Sequence, residues 1–469
     1  MGETRLNRMI YNYSPVFIQN LMTTVYGWQK NRYRYGSPRA AKWLNFYRET
    51  AVWSEEKLRD YQLSQLKETL HYAYEHVPYY RNLFKRINIV PDAIQKIEDM
   101  KVIPYLTKDQ IRQAGMELIC DQCDPETLSK GPTSGSTGMP MTIYGDREAA
   151  FRSYTYRWAQ CRPGLERNKQ RYAHFTGLEI VSPQQTKPPF WRMNYASKQR
   201  VYSVFHMSDA NMPYYLEDMA KFSPVWFYGY PSALYTLADF VLRKGWDYPC
   251  PPQAVVTSSE QCLPEYKEAI EKAFKTKLWD EYGQGEMAGL AFACECGKLH
   301  EKIDYSLMEF IPVGEEDGFQ VCELICTSFV NKAWPMIRYQ VGDLALIDPD
   351  AKCPCGKPGR VIEQIYGRTA QHIIAADGSR ISNISVMAKK CKNIKSMQAI
   401  QEEVGKVTLR VIIQPEFNRQ KDEPIIIKEF RKKLGDESRM RIDIEYVDTI
   451  ELTKSGKFLS IVNKMKNKL

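Results

Sequence analysis

A mixed α/β fold in two parts, a large N-terminal domain followed by a small α+β domain, is what this sequence predicts. Three observations carry the prediction. Short β-like runs alternate with helical ones between about residues 106 and 365, and a compact β-α-β pattern follows residue 366. The 469 residues also exceed one compact domain, at about 150 residues each.

Taken in order, residues 1–105 read as helical and aromatic. Tyr11 to Trp28 is apolar enough to meet a membrane or a partner, and is read as a buried N-terminal helix. Ser54 suits an N-cap, Glu55 and Glu56 fill the first turn, and Leu58, Tyr61, Leu66, Leu70 and Tyr74 approximate a helical stripe. Gln253 to Thr257 reads as a buried strand, and Phe319 to Phe329 as one with alternating faces. Farther on, Val407, Leu409, Val411 and Ile413 alternate, Glu423 to Leu434 reads as a helix, and Ile442, Ile444 and Tyr446 alternate again. The boundary is set at 366, giving domains 1–365 and 366–469.

With 43% hydrophobic and 26% charged residues, the chain can bury a sizeable core, which excludes a disordered chain. Lys and Arg number 65 against 56 Asp and Glu. The resulting +9 is mild for this length and suits an enzyme with phosphorylated substrates better than a nucleic-acid binder. No uncharged apolar window of about 18 residues exists, so no membrane span is expected. No apolar signal core follows Met1 to Arg8, which makes the cytoplasm the expected location. Six of the 12 cysteines fall in C-x-C or C-x-x-C pairs, which in a reducing compartment point to metal rather than disulfides.

Thr133-Ser-Gly-Ser-Thr-Gly138 is the sharpest local signal. Glycines let backbone amides curl around an anion and three hydroxyl side chains add neutral donors, the makings of a phosphate cradle. Met139 and Pro140 stand where a Walker loop has its lysine, and Thr133 stands where a dinucleotide fingerprint has its first glycine, so both of those readings fall.

This loop resembles the T-S-G-S-T-G-x-P of adenylate-forming enzymes, the acyl-CoA synthetase superfamily. Asp280-Glu-Tyr282-Gly-Gln-Gly-Glu286 resembles its Y-G-x-x-E segment, and Arg338-Tyr-Gln-Val-Gly342-Asp343 its R-Y-x-x-G-D. Gly367-Arg368 and Thr453-Lys-Ser-Gly-Lys457 resemble its hinge G-R and C-terminal T-x-S-G-K. Each is weak alone; five in order are strong. His76-Val-Pro-Tyr-Tyr-Arg81, Val102-Ile-Pro-Tyr-Leu-Thr-Lys108 and Phe227-Tyr-Gly-Tyr-Pro-Ser232 are similar to the phenylacetate-CoA ligase branch and its capsule-polysaccharide-biosynthesis relatives.

The resemblance implies an ATP-dependent ligase with a small mobile C-terminal domain. A carboxylic acid, guessed to be aryl or arylacetic, would attack the α-phosphate of ATP, and CoA or else an amine or hydroxyl acceptor, such as a sugar, would take the acyl group. Thr133, Ser134, Ser136, Thr137 and Gly138 would cradle phosphate, Tyr282 beside Gly283 would stack on adenine, and Asp343 would bind ribose hydroxyls. Glu286 would help bind Mg²⁺ and Arg368 would meet phosphate. Lys457 would swing between carboxylate and α-phosphate. Thr369, Ala370 and Gln371 depart from the acidic hinge of many relatives, and a basic residue common beside the phosphate loop is missing. Tyr228 and Tyr230 are placed at the acyl pocket, with plain packing as the competing reading, and His174 reads first as a satisfied core histidine that lies where an acyl-pocket wall could be. Dimers occur among the relatives, so a homodimer is one expectation, while the sequence itself is silent on oligomeric state.

Cys294-Glu-Cys296-Gly-Lys-Leu-His300 and Cys353-Pro-Cys355 form two sulfur-bearing turns able to supply four soft ligands to a structural Zn²⁺. Spacing alone permits Cys296 or His300 as the fourth; the resemblance favours Cys294, His300, Cys353 and Cys355. A zinc-ribbon module on nucleic acid is disfavoured, because Lys298, Lys357 and Arg360 are few for such a surface. A dead scaffold is disfavoured by the presence of Lys457, Glu286 and Asp343. Cys120 and Cys123 lack a second pair nearby and read as incidental thiols, and His206 as a core histidine.

Overall fold

The computed structural model describes residues 5–132, 141–162, 164–182, 184–316, 318–366, 372–377, 380–382, 391–451 and 458–465. They gather into two compact units, Met1–Ile365 and Tyr366–Leu469. The class is mixed α/β, as the alternation of runs predicts.

The first unit opens with helices α1 (Arg5–Tyr13), α2 (Val16–Tyr35), α3 (Pro38–Thr50), α4 (Glu55–His76) and α5 (Pro78–Arg86). In α4 the Ser54 hydroxyl accepts a hydrogen bond from the Lys57 amide at 3.3 Å. Leu58, Leu66 and Leu70 are buried along the helical stripe, joined by Gln62, Thr69 and Ala73. α2 corrects the expectation of a buried helix: Gln19 is its one buried residue among those described. Polar side chains help fasten it to the rest of the unit. The Asn20 carbonyl accepts from the Met193 amide at 2.8 Å, and Asn31 donates to Ser197 at 2.8 Å.

A ribbon of β1 (Ser129–Pro132) and β2 (Thr142–Gly145) follows α6 (Lys108–Ala114), and α7 (Arg147–Gln160) comes next. A nine-stranded sheet then takes β3 (Tyr172–Thr176), β4 (Trp191–Asn194), β5 (Gln199–Ser203), β6 (Trp226–Gly229) and β7 (Ala254–Ser258). It is completed by β8 (Leu278–Gly283), β9 (Leu290–Ala293), β10 (Leu299–Glu301) and β14 (Val361–Ile362). Strands run β14-β10-β9-β8-β7-β6-β3-β5-β4, with the five from β8 to β5 parallel and the flanks antiparallel. Parallel strands need both faces covered, and every residue of β7 is buried, matching the run read at 253–257. Helices α8 (Met212–Phe222), α9 (Pro231–Lys244) and α10 (Pro264–Phe274) share one core with Phe227, Val255 and Leu278. Tyr47 of α3 and Tyr156 of α7 share another with Trp226 and Val256.

A second sheet joins β11 (Ser306–Glu316), β12 (Phe319–Ser328), β13 (Tyr339–Ile347) and β15 (Gln364–Tyr366). β12 departs from the expected alternation. It is a middle strand paired on both edges, and from Leu324 to Ser328 every side chain is buried.

In the second unit, β16 (His372–Ile374) pairs with β17 (Arg380–Ser382). β18 (Ile394–Glu403), β19 (Lys406–Ile413), β20 (Arg441–Tyr446) and β21 (Ile461–Asn463) form a sheet of order β20-β19-β18-β21. Helix α11 (Arg419–Leu434) crosses between the parallel strands β19 and β20 and buries Ile426, Phe430 and Leu434 against Val407, Leu409 and Val411. It starts one turn before the expected Glu423, because Asn418 caps it by accepting from the Lys421 amide at 3.2 Å.

Candidate active site and metal centre

In an open parallel sheet, ligands bind beyond the carboxyl ends of the strands. β8 ends there in Glu281-Tyr282-Gly283, and the segment leading to β9 carries Glu286. Two hydrogen bonds tie this segment to β13. The Tyr282 hydroxyl donates to Asp343 Oδ2 at 2.8 Å, and the Tyr339 hydroxyl donates to Glu286 Oε1 at 3.0 Å. The pairs run antiparallel, four residues apart on each side, so they act as a clamp. Gln284 closes the turn by accepting from the Gly289 amide at 2.8 Å. Burial, then the Asp343 carboxylate, raises the Tyr282 phenol well above its ordinary range, so it stays a donor.

Behind the clamp sits a buried charge cluster. Arg157 Nε donates to Glu281 Oε1 at 2.7 Å and Arg162 lies 2.8 Å from Oε2. Burial alone would raise the Glu281 carboxyl, but the two guanidiniums prevail and hold it below the ordinary glutamate range. Arg338 enters β13 with a left-handed φ of 47°. Its guanidinium grips Glu309 at 3.0 and 2.8 Å and the Ile103 carbonyl at 2.6 Å. Lys108 donates to the Val341 carbonyl at 2.8 Å. The segment 103–108 is thereby stapled along the strand that carries Tyr339 and Asp343. Sequence reasoning passed over Tyr339, Glu281, Arg157 and Arg162. Tyr339 lay inside a quoted motif, whereas nothing in the sequence pairs Glu281 with arginines more than a hundred positions away.

The phosphate-loop residues Thr133, Ser134, Ser136, Thr137 and Gly138 lie outside the described residues, as do Arg368, the hinge positions Thr369, Ala370 and Gln371, and Lys457. The flanks of the loop are described: Pro132 of β1 stands opposite Thr142 of β2. A Cβ on Gly285 would meet Ile143 at 2.9 Å, so the ribbon lies against the Tyr282–Glu286 segment.

His174 and Tyr228 are register partners on β3 and β6, their rings 5.3 Å apart. Both His174 nitrogens are engaged, one with Gln199 and the other with Thr176 at 3.1 Å. Burial, then Lys30 and Arg34, push its pKa down to about 3, so it stays neutral. Tyr228 also faces Arg162 and Trp226. Tyr230 packs into the core under α8–α10, so the structure joins His174 to Tyr228 and separates Tyr230 from them.

At the far edge of the same sheet, Cys294, His300, Cys353 and Cys355 bring one ligand atom each to within 4.8 Å of one another. The Cys294 and Cys353 sulfurs are 3.6 Å apart, and Cys355 Sγ is 3.4 Å from His300 Nε2. A tetrahedral zinc with Zn–S bonds of about 2.3 Å puts its sulfurs about 3.8 Å apart, so three thiols and one imidazole fit the ion. Gly297 and Gly356, at φ of 76° and 65°, turn the two knuckles, and the Gly297 amide bonds back to the Cys294 carbonyl at 2.8 Å. His300 is in this group of four; Cys296 is exposed and outside it, beside Cys294 and Cys353.

Comparison with known proteins agrees with this architecture. The family model described as the CapK C-terminal domain matches residues 373–464. Protein CapK of Staphylococcus aureus is 24% identical over 464 residues, 97% of this chain and 99% of that protein. A phenylacetate-coenzyme A ligase of Pseudomonas putida is 27% identical over 335 residues, 68% of this chain and 73% of that protein. Among solved structures, 2-hydroxyisobutyryl-CoA ligase in the postadenylation state superposes with a TM-score of 0.66 at 17% identity, covering 88% of this chain and 91% of that one. The chain is thus a relative of CapK and the phenylacetate-CoA ligases, with the fold of an adenylate-forming ligase.

Proposed function

We propose that this chain activates a carboxylic acid with MgATP and passes the acyl group to CoA. The observation that carries the reading is the clamp of Tyr282–Asp343 and Tyr339–Glu286 at the carboxyl end of β8. The likeness to phenylacetate-CoA ligases supports it.

In the first half-reaction a carboxylate oxygen of the acid bonds to the α-phosphorus while the bond to the pyrophosphate oxygen breaks. In the second, the CoA thiolate attacks the acyl carbon and AMP leaves. Little covalent help is needed, so the protein's work is positioning and charge stabilisation. Asp343 accepts from the ribose hydroxyls, held in place by the Tyr282 phenol, whose ring lies against adenine. Glu286 offers carboxylate oxygens to Mg²⁺, a hard cation that would offset phosphate charge; accepting one tyrosine hydrogen bond leaves it further lone pairs. By resemblance, the hydroxyls of Thr133, Ser134, Ser136 and Thr137 and the Gly138 amide would cradle phosphate, Arg368 would meet it, and Lys457 would neutralise the charge between carboxylate and α-phosphate. Cys294, His300, Cys353 and Cys355 hold a structural Zn²⁺ that cross-links the sheet edge. Tyr228 and His174, with rings 5.3 Å apart, would suit an aryl or arylacetic acid. The reading carries a cytoplasmic location, where ATP and reduced thiols coexist.

A second reading keeps adenylation and gives the acyl group to an amine or a hydroxyl, such as that of a sugar. It is favoured by the match to CapK over 97% of the chain, against 68% for the Pseudomonas ligase. Incubation with ATP and a panel of acids, with and without CoA, followed by chromatography for AMP and acyl product, tests both. Acid-dependent AMP that requires CoA supports the first reading; AMP formation stimulated by a sugar or amine supports the second. No acid-dependent AMP across the panel contradicts both.

A further inference from the structure

Helix α2 is amphipathic in the inverted sense. Its inward side is polar: Asn20 accepts from the Met193 amide, Thr24 Oγ1 accepts from the Tyr195 amide at 3.1 Å, and Asn31 donates to Ser197. Gly27 lies on this side as well, where a Cβ would collide with Asn194. The helix therefore lies along the edge strand β4 and shields it with polar contacts. Its outward side is apolar. Phe17 is 71% exposed, Leu21 61%, Val25 44% and Trp28 52%. At 100° per residue these four fall within an arc of about 80°. Ile10 and Tyr13 of α1 extend the exposed apolar surface.

Charge selects the occupant of this face. From Arg5 to Arg48 the sequence carries eight Lys and Arg residues and no Asp or Glu. Of these, Lys30 and Arg32 lie over the Tyr26 and Trp28 rings of α2 itself, so a second copy docked on this face would bring cation against cation, and like charges oppose that contact. An anionic bilayer matches both features at once, since acyl chains receive Phe17 and Leu21 while headgroup phosphates receive the cations. Trp28, with the Arg32 guanidinium 5.5 Å above its ring, has the amphipathic character of an interfacial anchor. Among the described residues no helix is long and apolar enough to cross a membrane, so the helix would lie in the surface. We infer that α1 and α2 form an interfacial anchor that seats this protein on an anionic lipid surface. The inference is independent of the ligase reading.

Flotation of the full chain with vesicles tests it, comparing phosphatidylglycerol-containing with pure phosphatidylcholine vesicles. The variant Phe17→Glu/Leu21→Glu/Trp28→Glu changes only exposed side chains, and its circular-dichroism melt checks that it folds. The expected result is binding to the anionic vesicles about tenfold above phosphatidylcholine, reduced about tenfold in the variant and weakened by salt. Equal recovery of wild type and folded variant, or no wild-type binding at low salt, overturns the inference. So does a wild-type dimer in light scattering that the variant turns into a monomer. Should the triple variant fail to fold, Leu21→Glu alone is read the same way against a threefold loss.

Discussion

Two regions of one sheet are held by different physics. At the end of β8, buried guanidiniums and a carboxylate of this chain hold one another: Arg157 and Arg162 on Glu281. At the β9–β10 and β14 edge, four soft donors converge from two turns, where the proposed zinc ion would hold them together by neutralising the thiolates. The first region carries its counter-charges within the fold. The second is conditional on metal and on reduced thiols. The end of β8 is therefore expected to keep its geometry without zinc, and that independence can be broken or sharpened experimentally.

The largest effect is expected from Glu281→Ala, which leaves two guanidiniums buried without their carboxylate. The loss is about 3–5 kcal/mol in urea unfolding, since removing one partner of a buried pair strands the other charge. The pH dependence follows from the lowered Glu281 carboxyl. Its stabilisation is complete above the ordinary glutamate value of about 4.3 and is lost as pH falls through the lower folded value. Glu281→Gln should flatten that acid limb of the stability profile.

Next is the edge. Chelation, or Cys353→Ser, is expected to take zinc from about one per chain to near zero by elemental analysis. At a free zinc level about 100-fold above Kd, the stability lost is about 2.7 kcal/mol. KM for ATP should stay within about twofold; a larger rise would mean that the two regions are coupled. A smaller effect is expected from Tyr339→Phe, which removes one hydrogen bond to the buried Glu286. It should cost about 1 kcal/mol, seen as an adenylation rate about fivefold lower. The smallest is Tyr282→Phe, which removes one hydrogen bond from Asp343 and should raise KM for ATP about threefold while leaving the melting temperature nearly unchanged.

Local signals explain what was legible in the sequence. Ser54 followed by two glutamates marked the start of α4, the apolar run at 253–257 marked a strand covered on both faces, and alternation marked β19 and β20 around α11. What escaped was set by distant partners. Burial of α2 was expected because its apolar residues are many, yet its polar side chains found partners on β4 and turned the apolar side outward. The full burial of the second half of β12 depends on the strands at both its edges. The choice of His300 over Cys296 stayed open because spacing counts residues, while convergence depends on how β10 pairs with β9 and β14. Likewise, Tyr339 was visible in a motif, but its bond to Glu286 follows from the alignment of β13 with the end of β8.

The most direct test of adenylation at this clamp is acid-dependent exchange of labelled pyrophosphate into ATP, run on wild type, Glu286→Gln and Lys457→Ala. Exchange with at least one acid, lost by about a hundredfold or more in both variants while their melting curves match wild type, is the predicted result. Exchange undiminished in Glu286→Gln, or absent from wild type across aromatic, aliphatic, hydroxy and amino acids, would contradict the account.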